Sequence, residues 1–254
     1  MPSSLSGSSP STRALSRGRD VPDVSPYGFE IVGEYSARSE ARVFKVRRSI
    51  EGPASRPSDE GQSYLLKCIQ LQMGPEEAQA AVGETRSLCD VSHANVVGYI
   101  DAFWMDEQLC CVSELAEAGT LHHLIFSTRE RGIEESVVWH LFLQICHGLH
   151  ALHEKGITHR ALKTRNLLLF QEDLFRHGNL KWRCKLADVR VPAVFSNVRL
   201  SALSGSTLRY LAPEVHSKKP YDSKVDVWSL GCVLHEMLTH GHSFNSTSAI
   251  LKAE

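Results

Sequence analysis

The segment that most constrains this chain is Glu134 to Glu154, the clearest helix in its 254 residues. Val138, Leu141, Phe142, Ile145, Leu149 and Leu152 recur at helical intervals and so share one side of it. An apolar stripe of that length needs a partner surface, and a chain of this size can bury a real core. His147, His150 and His153 lie three apart on the same helix. Zinc sites usually take three or four ligands, and no carboxylate or cysteine completes a set here, so packing or surface roles are expected. Gly156 ends the helix, as glycine commonly does, and delivers the chain to Ile157–Asn166, a stretch holding His159, Arg160, Ala161, Lys163 and Asn166.

Strand patterns fill the first third of the chain. Phe29–Val32, Arg42–Val46 and Tyr64–Ile69 read as strands by alternation, with a polar loop over 49–63. Pro75 suits the first turn of a helix running from Glu76 to Val91 with Glu84 in its middle. Val96 to Trp104 and Gln108 to Glu114 read as a hairpin around Met105-Asp106-Glu107, and Thr120 can cap the helix after it. Residues 1 to about 26 are serine-rich with little that packs, so order is expected to begin near Tyr27 and the tail before it to be disordered.

The bulk properties exclude several classes. Twenty-eight basic and 29 acidic residues leave a formal net charge of -1, which gives no pull toward nucleic acid or anionic membrane. No run of eighteen apolar residues marks a membrane span, and the N-terminus lacks the apolar region of a secretory signal. Seven cysteines without C-x-x-C spacing fit reduced thiols in a cytoplasmic or nuclear protein.

The stretch His159-Arg160-Ala161-Leu162-Lys163-Thr164-Arg165-Asn166 resembles the protein-kinase catalytic loop, His-Arg-Asp-Leu-Lys-x-x-Asn. Leu211-Ala212-Pro213-Glu214-Val215 and Asp226-Val227-Trp228-Ser229-Leu230-Gly231 resemble two further kinase motifs in the family's order. With Gly241-His242-Ser243-Phe244, the chain looks most like the NIMA-related serine/threonine kinases. The resemblance implies an α+β fold of two lobes, an antiparallel sheet with one helix over 27–115 and a mainly helical part over 116–254. It implies ATP and Mg2+ as cofactors and a protein substrate or protein partner.

Site roles follow from the same resemblance. Lys67 would pair with Glu84 and hold the α- and β-phosphates. Val43 and Leu168 would line the nucleotide pocket, the backbones of Glu114 and Ala116 would face the adenine edge, and Ser113 would form the back wall. Leu65 would crowd the adenine ring. Lys163 would touch the γ-phosphate, Asn166 and Asp188 would ligate magnesium, and Asp226 would brace the catalytic loop. Ser196, Ser201, Ser204, Ser206 and Thr207 are candidates for phosphorylation that pairs with Arg160.

Three departures point toward a catalytically impaired pseudokinase. Ala161 stands where the catalytic base belongs, and a positioned base contributes about 10²–10⁴-fold. The glycine-rich loop is degraded: anchoring on Val43 puts Ser36, Arg38 and Ala41 at the glycine places. Anchoring on Gly33 leaves Tyr35 and Arg38 there, with Glu40 in place of the valine. Glycines there let the backbone approach phosphates, and these side chains would hold it away unless Arg38 reaches a phosphate itself. Asp188-Val189-Arg190 replaces Asp-Phe-Gly. An active serine/threonine kinase, working by positioning and metal alone, is the alternative. A kinase C-lobe normally continues beyond the Asp226–Thr239 helix, so a truncated C-lobe is expected, with Glu214 short of its usual arginine.

Overall fold

Alternation along β3 (Ser63–Gln70) sets up the first half of the fold. Tyr64, Leu66 and Cys68 are buried and the residues between them are not, so one face of the strand belongs to a core. β3 is the middle of a five-stranded antiparallel sheet with β1 (Phe29–Arg38), β2 (Ala41–Arg48), β4 (Tyr99–Met105) and β5 (Gln108–Glu114). The order is β1-β2-β3-β5-β4. Phe44, Val46, Phe103, Cys110 and Val112 complete the buried face.

In this computed structural model residues 21–38, 41–49, 62–116, 118–171, 182–197 and 205–253 are described. They divide into two units: the chain up to Asp90 with Gly98–Leu115, and Val91–Val97 with Ala116 onward. The tail over 1–20, Glu40, most of the 49–63 loop and the insertion over 172–181 lie outside the described residues.

Packing in the first unit starts upstream of Tyr27. Val24 is only 2% exposed and belongs to the sheet's core, so the expected tail boundary moves toward the N-terminus. Tyr27 stacks on Phe103 with ring centroids 3.8 Å apart and donates its hydroxyl to the Trp104 carbonyl at 3.0 Å. α1 (Pro75–Arg86) begins on its proline, with the Glu77 carboxylate accepting the Gly74 N–H at 3.1 Å. The helix stops at Arg86 rather than Val91, and Ser87–Asp90 tightens into a 3₁₀ turn.

The expected strand from Val96 also begins later. Val97 N–H bonds the Leu186 carbonyl and Leu186 N–H bonds the Asn95 carbonyl, both at 2.9 Å, so Val91–Val97 belongs to the second unit. Long-range backbone pairing overrides the local alternation there.

The second unit is mainly helical. α2 (Leu121–Ser127) is capped by the Thr120 hydroxyl, which accepts the His123 N–H at 3.2 Å. α3 (Glu135–Glu154) buries Val138, Leu141, Ile145, Leu149 and Leu152 on one stripe. Phe142 is half-buried beside the exposed Trp139 instead of lying in that stripe. β6 (Leu167–Gln171) and β7 (Trp182–Leu186) form an antiparallel pair. They lead to α4 (Pro192–Asn197), α5 (Gly205–Leu208), α6 (Pro213–His216), α7 (Lys224–Thr239) and α8 (Thr247–Leu251). Gly148 brings α3 against β7: a Cβ there would lie 2.4 Å from the Asn95 carbonyl oxygen and 2.6 Å from Leu186 Cδ1. No helix among the described residues is long and apolar enough to cross a membrane.

Candidate catalytic loop and nucleotide site

The loop between α3 and β6 is held from below by one carboxylate. Asp226, in the first turn of α7, is 1% exposed. It accepts the His159 N–H at 2.7 Å, the Arg160 N–H at 2.9 Å and a hydrogen bond with His153 Nε2 at 2.8 Å. Burial pushes its pKa up, but the His153 side chain, the nearby His159 ring and the two amides outweigh that, leaving it below the usual carboxylate range. The bracing role expected of Asp226 is therefore present, and His153 shares in it.

The rest of the loop is fixed by its own backbone. Gly156 has φ of 71°, where a side chain is disfavoured, and turns the chain out of α3. Arg160 also sits in the left-handed region, at φ of 60°. Its guanidinium donates to the Thr158 carbonyl at 3.0 Å and the Arg190 carbonyl at 3.2 Å. His159 is fully buried, and its Nδ1 accepts the Ala161 N–H at 3.3 Å. Burial pushes its pKa below the ordinary histidine range, with the Asp226 carboxylate opposing, so the ring is neutral at pH 7.

Ala161 lies inside this frame at 3% exposure, and its methyl group has no proton to accept or give. Asn166 Nδ2 donates to the Ala161 carbonyl at 2.8 Å, which turns the amide oxygen to the other side. The Lys163 ammonium donates to Thr207 Oγ1 at 2.8 Å. Thr207 is 2% exposed, so of the candidate phosphorylation residues it is unavailable as it stands. Ser201 and Ser204 lie outside the described residues. Asp188 takes φ of 61°, with Val189 buried behind it and the Arg190 N–H bonded to the His159 carbonyl at 3.0 Å. Leu168 is half-buried on β6 opposite Lys185, and Ala116 is half-buried where the second unit resumes.

The remaining candidates lie in the first unit. Lys67 is paired in register with Val43 on β2 and Cys111 on β5, on the sheet face opposite the core. Leu65 lies between Lys45 and Ser113 on that same face. Glu84 is in α1. The Glu114 N–H bonds the Gly98 carbonyl at 2.9 Å and its carboxylate accepts the Gly98 N–H at 2.7 Å. In the hairpin, β1 and β2 pair out to Arg38 opposite Ala41, with irregularities between Ile31 and Gly33 and between Glu34 and Ser36.

Sequence reasoning missed a second polar cluster. Glu236 on α7 is 4% exposed, and its carboxylate accepts from the Tyr210 hydroxyl and from Thr164 Oγ1, the latter at 3.2 Å. His122 Nδ1 lies 3.4 Å from the other oxygen. A glutamate inside an apolar helix was the available signal, because a buried charge needs partners. His150 pairs with Glu154 at the surface at 3.3 Å, and no cluster of three or more metal-ligating side chains occurs among the described residues.

A small sheet with one helix, a helical unit and a loop braced by a buried aspartate define a protein-kinase fold. The protein kinase domain family matches residues 54–253, and the chain belongs to that family. Its relatives are NIMA-related serine/threonine kinases. It is 34% identical to Serine/threonine-protein kinase nekl-2 of Caenorhabditis elegans, over 72% of this chain and 52% of that protein. It is 35% identical to Serine/threonine-protein kinase Nek4 of Mus musculus, over 74% of this chain and 23% of that protein. With Nek1 of Mus musculus the identity is 31%, over 78% and 16%. The chain therefore spans about half or less of the length of the relatives it matches.

Proposed function

We propose that this chain is a catalytically impaired kinase domain that binds Mg-ATP and acts on other proteins as a scaffold or allosteric partner. Ala161 carries the proposal. The catalytic loop keeps its bracing through Asp226, His159 and Asn166, yet the position for a proton acceptor holds a buried methyl group. Because the loop is anchored on both sides of Ala161, it has little freedom to bring another carboxylate into that place.

The donor set supports the cofactors. A carboxylate at Asp188 and the amide oxygen of Asn166 are hard oxygen ligands of the kind magnesium takes. In the first unit Lys67, paired with Glu84 as the kinase resemblance implies, would hold the phosphates. When bound, ATP would supply a transferable phosphoryl group and magnesium would neutralise its oxygens. Val189 and Arg190 in place of a Phe-Gly pair, and Ser36 and Arg38 on the hairpin, weigh on the same side as Ala161. That none of the seven cysteines is in a disulfide supports a cytoplasmic or nuclear setting.

The competing reading is a slow serine/threonine kinase, favoured by the retention of Lys163, Asn166 and Asp188. Phosphate transfer to generic protein substrates decides between them. Wild-type transfer is expected to match the Lys67→Ala background, and Ala161→Asp to raise it. Wild-type transfer that disappears in Lys67→Ala would overturn the impaired-kinase proposal. A thermal shift with Mg-ATP, lost in Lys67→Ala, is expected, and no shift on folded protein would remove nucleotide binding.

A further inference from the structure

Cys68 on β3 and Cys110 on β5 stand directly opposite each other in the strand register. Their sulfur atoms are 3.1 Å apart, in the buried face of the sheet. We propose that these two thiols are a reversible oxidation site, closing to a disulfide that staples the central strands when a small peroxide reaches them. This is independent of whether the chain transfers phosphate.

The geometry favours the bond. Opposed residues of an antiparallel pair have Cα atoms about 4.5–5.5 Å apart, inside the range that disulfides span. Closing the bond needs the sulfurs to approach by about 1 Å, which side-chain rotation alone can supply. A buried cysteine is ordinarily a small hydrophobe. Here two are in hydrogen-bonded contact, with a guanidinium opposite: Arg42 faces Cys68 across the β2–β3 register.

The two sulfurs are not equivalent. The hydrogen bond from Cys110 lowers the pKa of Cys68 against the effect of burial, and the Arg42 charge helps. Cys110 is pushed up by the same contact and by burial. The Arg42 charge opposite Cys68 makes Cys68 the attacking sulfur and Cys110 the resolving one. In the first step the Cys68 sulfur bonds one peroxide oxygen and the O–O bond breaks. The other oxygen leaves as hydroxide and takes up the proton that Cys68 had lost. In the second step the Cys110 sulfur attacks the Cys68 sulfenic acid, the S–O bond breaks, and the departing oxygen leaves as water with the Cys110 proton. Two thiols lose two electrons in total, and one peroxide becomes two waters.

Both sulfurs are buried in the sheet's core, so the site admits a small oxidant sooner than a bulky disulfide. The test treats the full chain with hydrogen peroxide under native conditions, alkylates the remaining thiols after unfolding, and maps non-reduced peptides by mass spectrometry. The expected product is a Cys68–Cys110 linked peptide, reversed by dithiothreitol, with a raised melting temperature in the oxidised sample. In folded Cys110→Ala the linked peptide and the rise in melting temperature should both be absent. Recovery of Cys68 and Cys110 as alkylated thiols, after a dose that oxidises the more exposed Cys89, overturns the proposal. So does linkage of Cys68 to any other cysteine.

Discussion

Replacing Asp226 by alanine tests whether one carboxylate holds the catalytic loop. Its oxygens satisfy two backbone donors and one side chain, at 2.7 Å from His159 N, 2.9 Å from Arg160 N and 2.8 Å from His153 Nε2. The His159 and Arg160 amides would lose their acceptor inside the protein, at about 1–3 kcal/mol each. Relief of the carboxylate's own burial offsets part of that loss. The net destabilisation should be about 2–5 kcal/mol, a large share of the roughly 5–15 kcal/mol typical of a folded protein. In a domain of this size it corresponds to a fall in melting temperature of roughly 4–20 °C. Asp226→Asn keeps one acceptor oxygen but turns an NH2 toward the other donors, so it should lose about half as much. Urea unfolding and a thermal melt of wild type, Asp226→Asn and Asp226→Ala measure the series. A loss in Asp226→Ala of less than about 0.5 kcal/mol would refute the reasoning, since two buried amides cannot go unpaired so cheaply.

Gly148→Ala should destabilise by about 1–3 kcal/mol despite alanine's better helix propensity, because the new methyl meets the Asn95 backbone at 2.4 Å. An equal or raised denaturation midpoint would show that α3 can shift away from β7. Glu114→Ala should cost about 1–3 kcal/mol by stripping the acceptor at 2.7 Å from the Gly98 N–H, measured by the same unfolding curves. Acid should weaken the fold through His159, whose pKa is lowered by burial. The unfolded chain binds that proton more readily, so the stabilisation is complete above about pH 6.5 and is lost as pH falls below it. His122, lowered by burial and by Arg165, acts in the same window, and Asp226 adds to the loss at more acidic pH. Denaturation midpoints that stay flat from pH 7.5 to pH 5 would contradict this.

Much of the fold could be read from local pattern. Alternation located β2 and β3, a 3.6-residue period located α3, and the kinase resemblance implied that Asp226 braces the loop. Failures came where a distant partner decides. Val96 and Val97 look like the start of β4, but Leu186 captures their backbone. Val24 looks like part of a tail, but it fills the base of the sheet's core.

By itself the sequence determined the family and put Ala161 at the aspartate place of the catalytic-loop motif. Residue order suffices for both, because the motifs are short and contiguous and Ala161 removes the proton acceptor in any geometry. The tertiary structure alone decided which side chains meet across long separations. Asp226 with His153, Glu236 with Tyr210, Gly148 against Asn95, and Cys68 with Cys110 are such pairs. A buried charge, an unoccupied Cβ direction and two opposed thiols acquire meaning only through the surface packed against them. That surface is set by how the strands register and the helices dock, which no local pattern encodes.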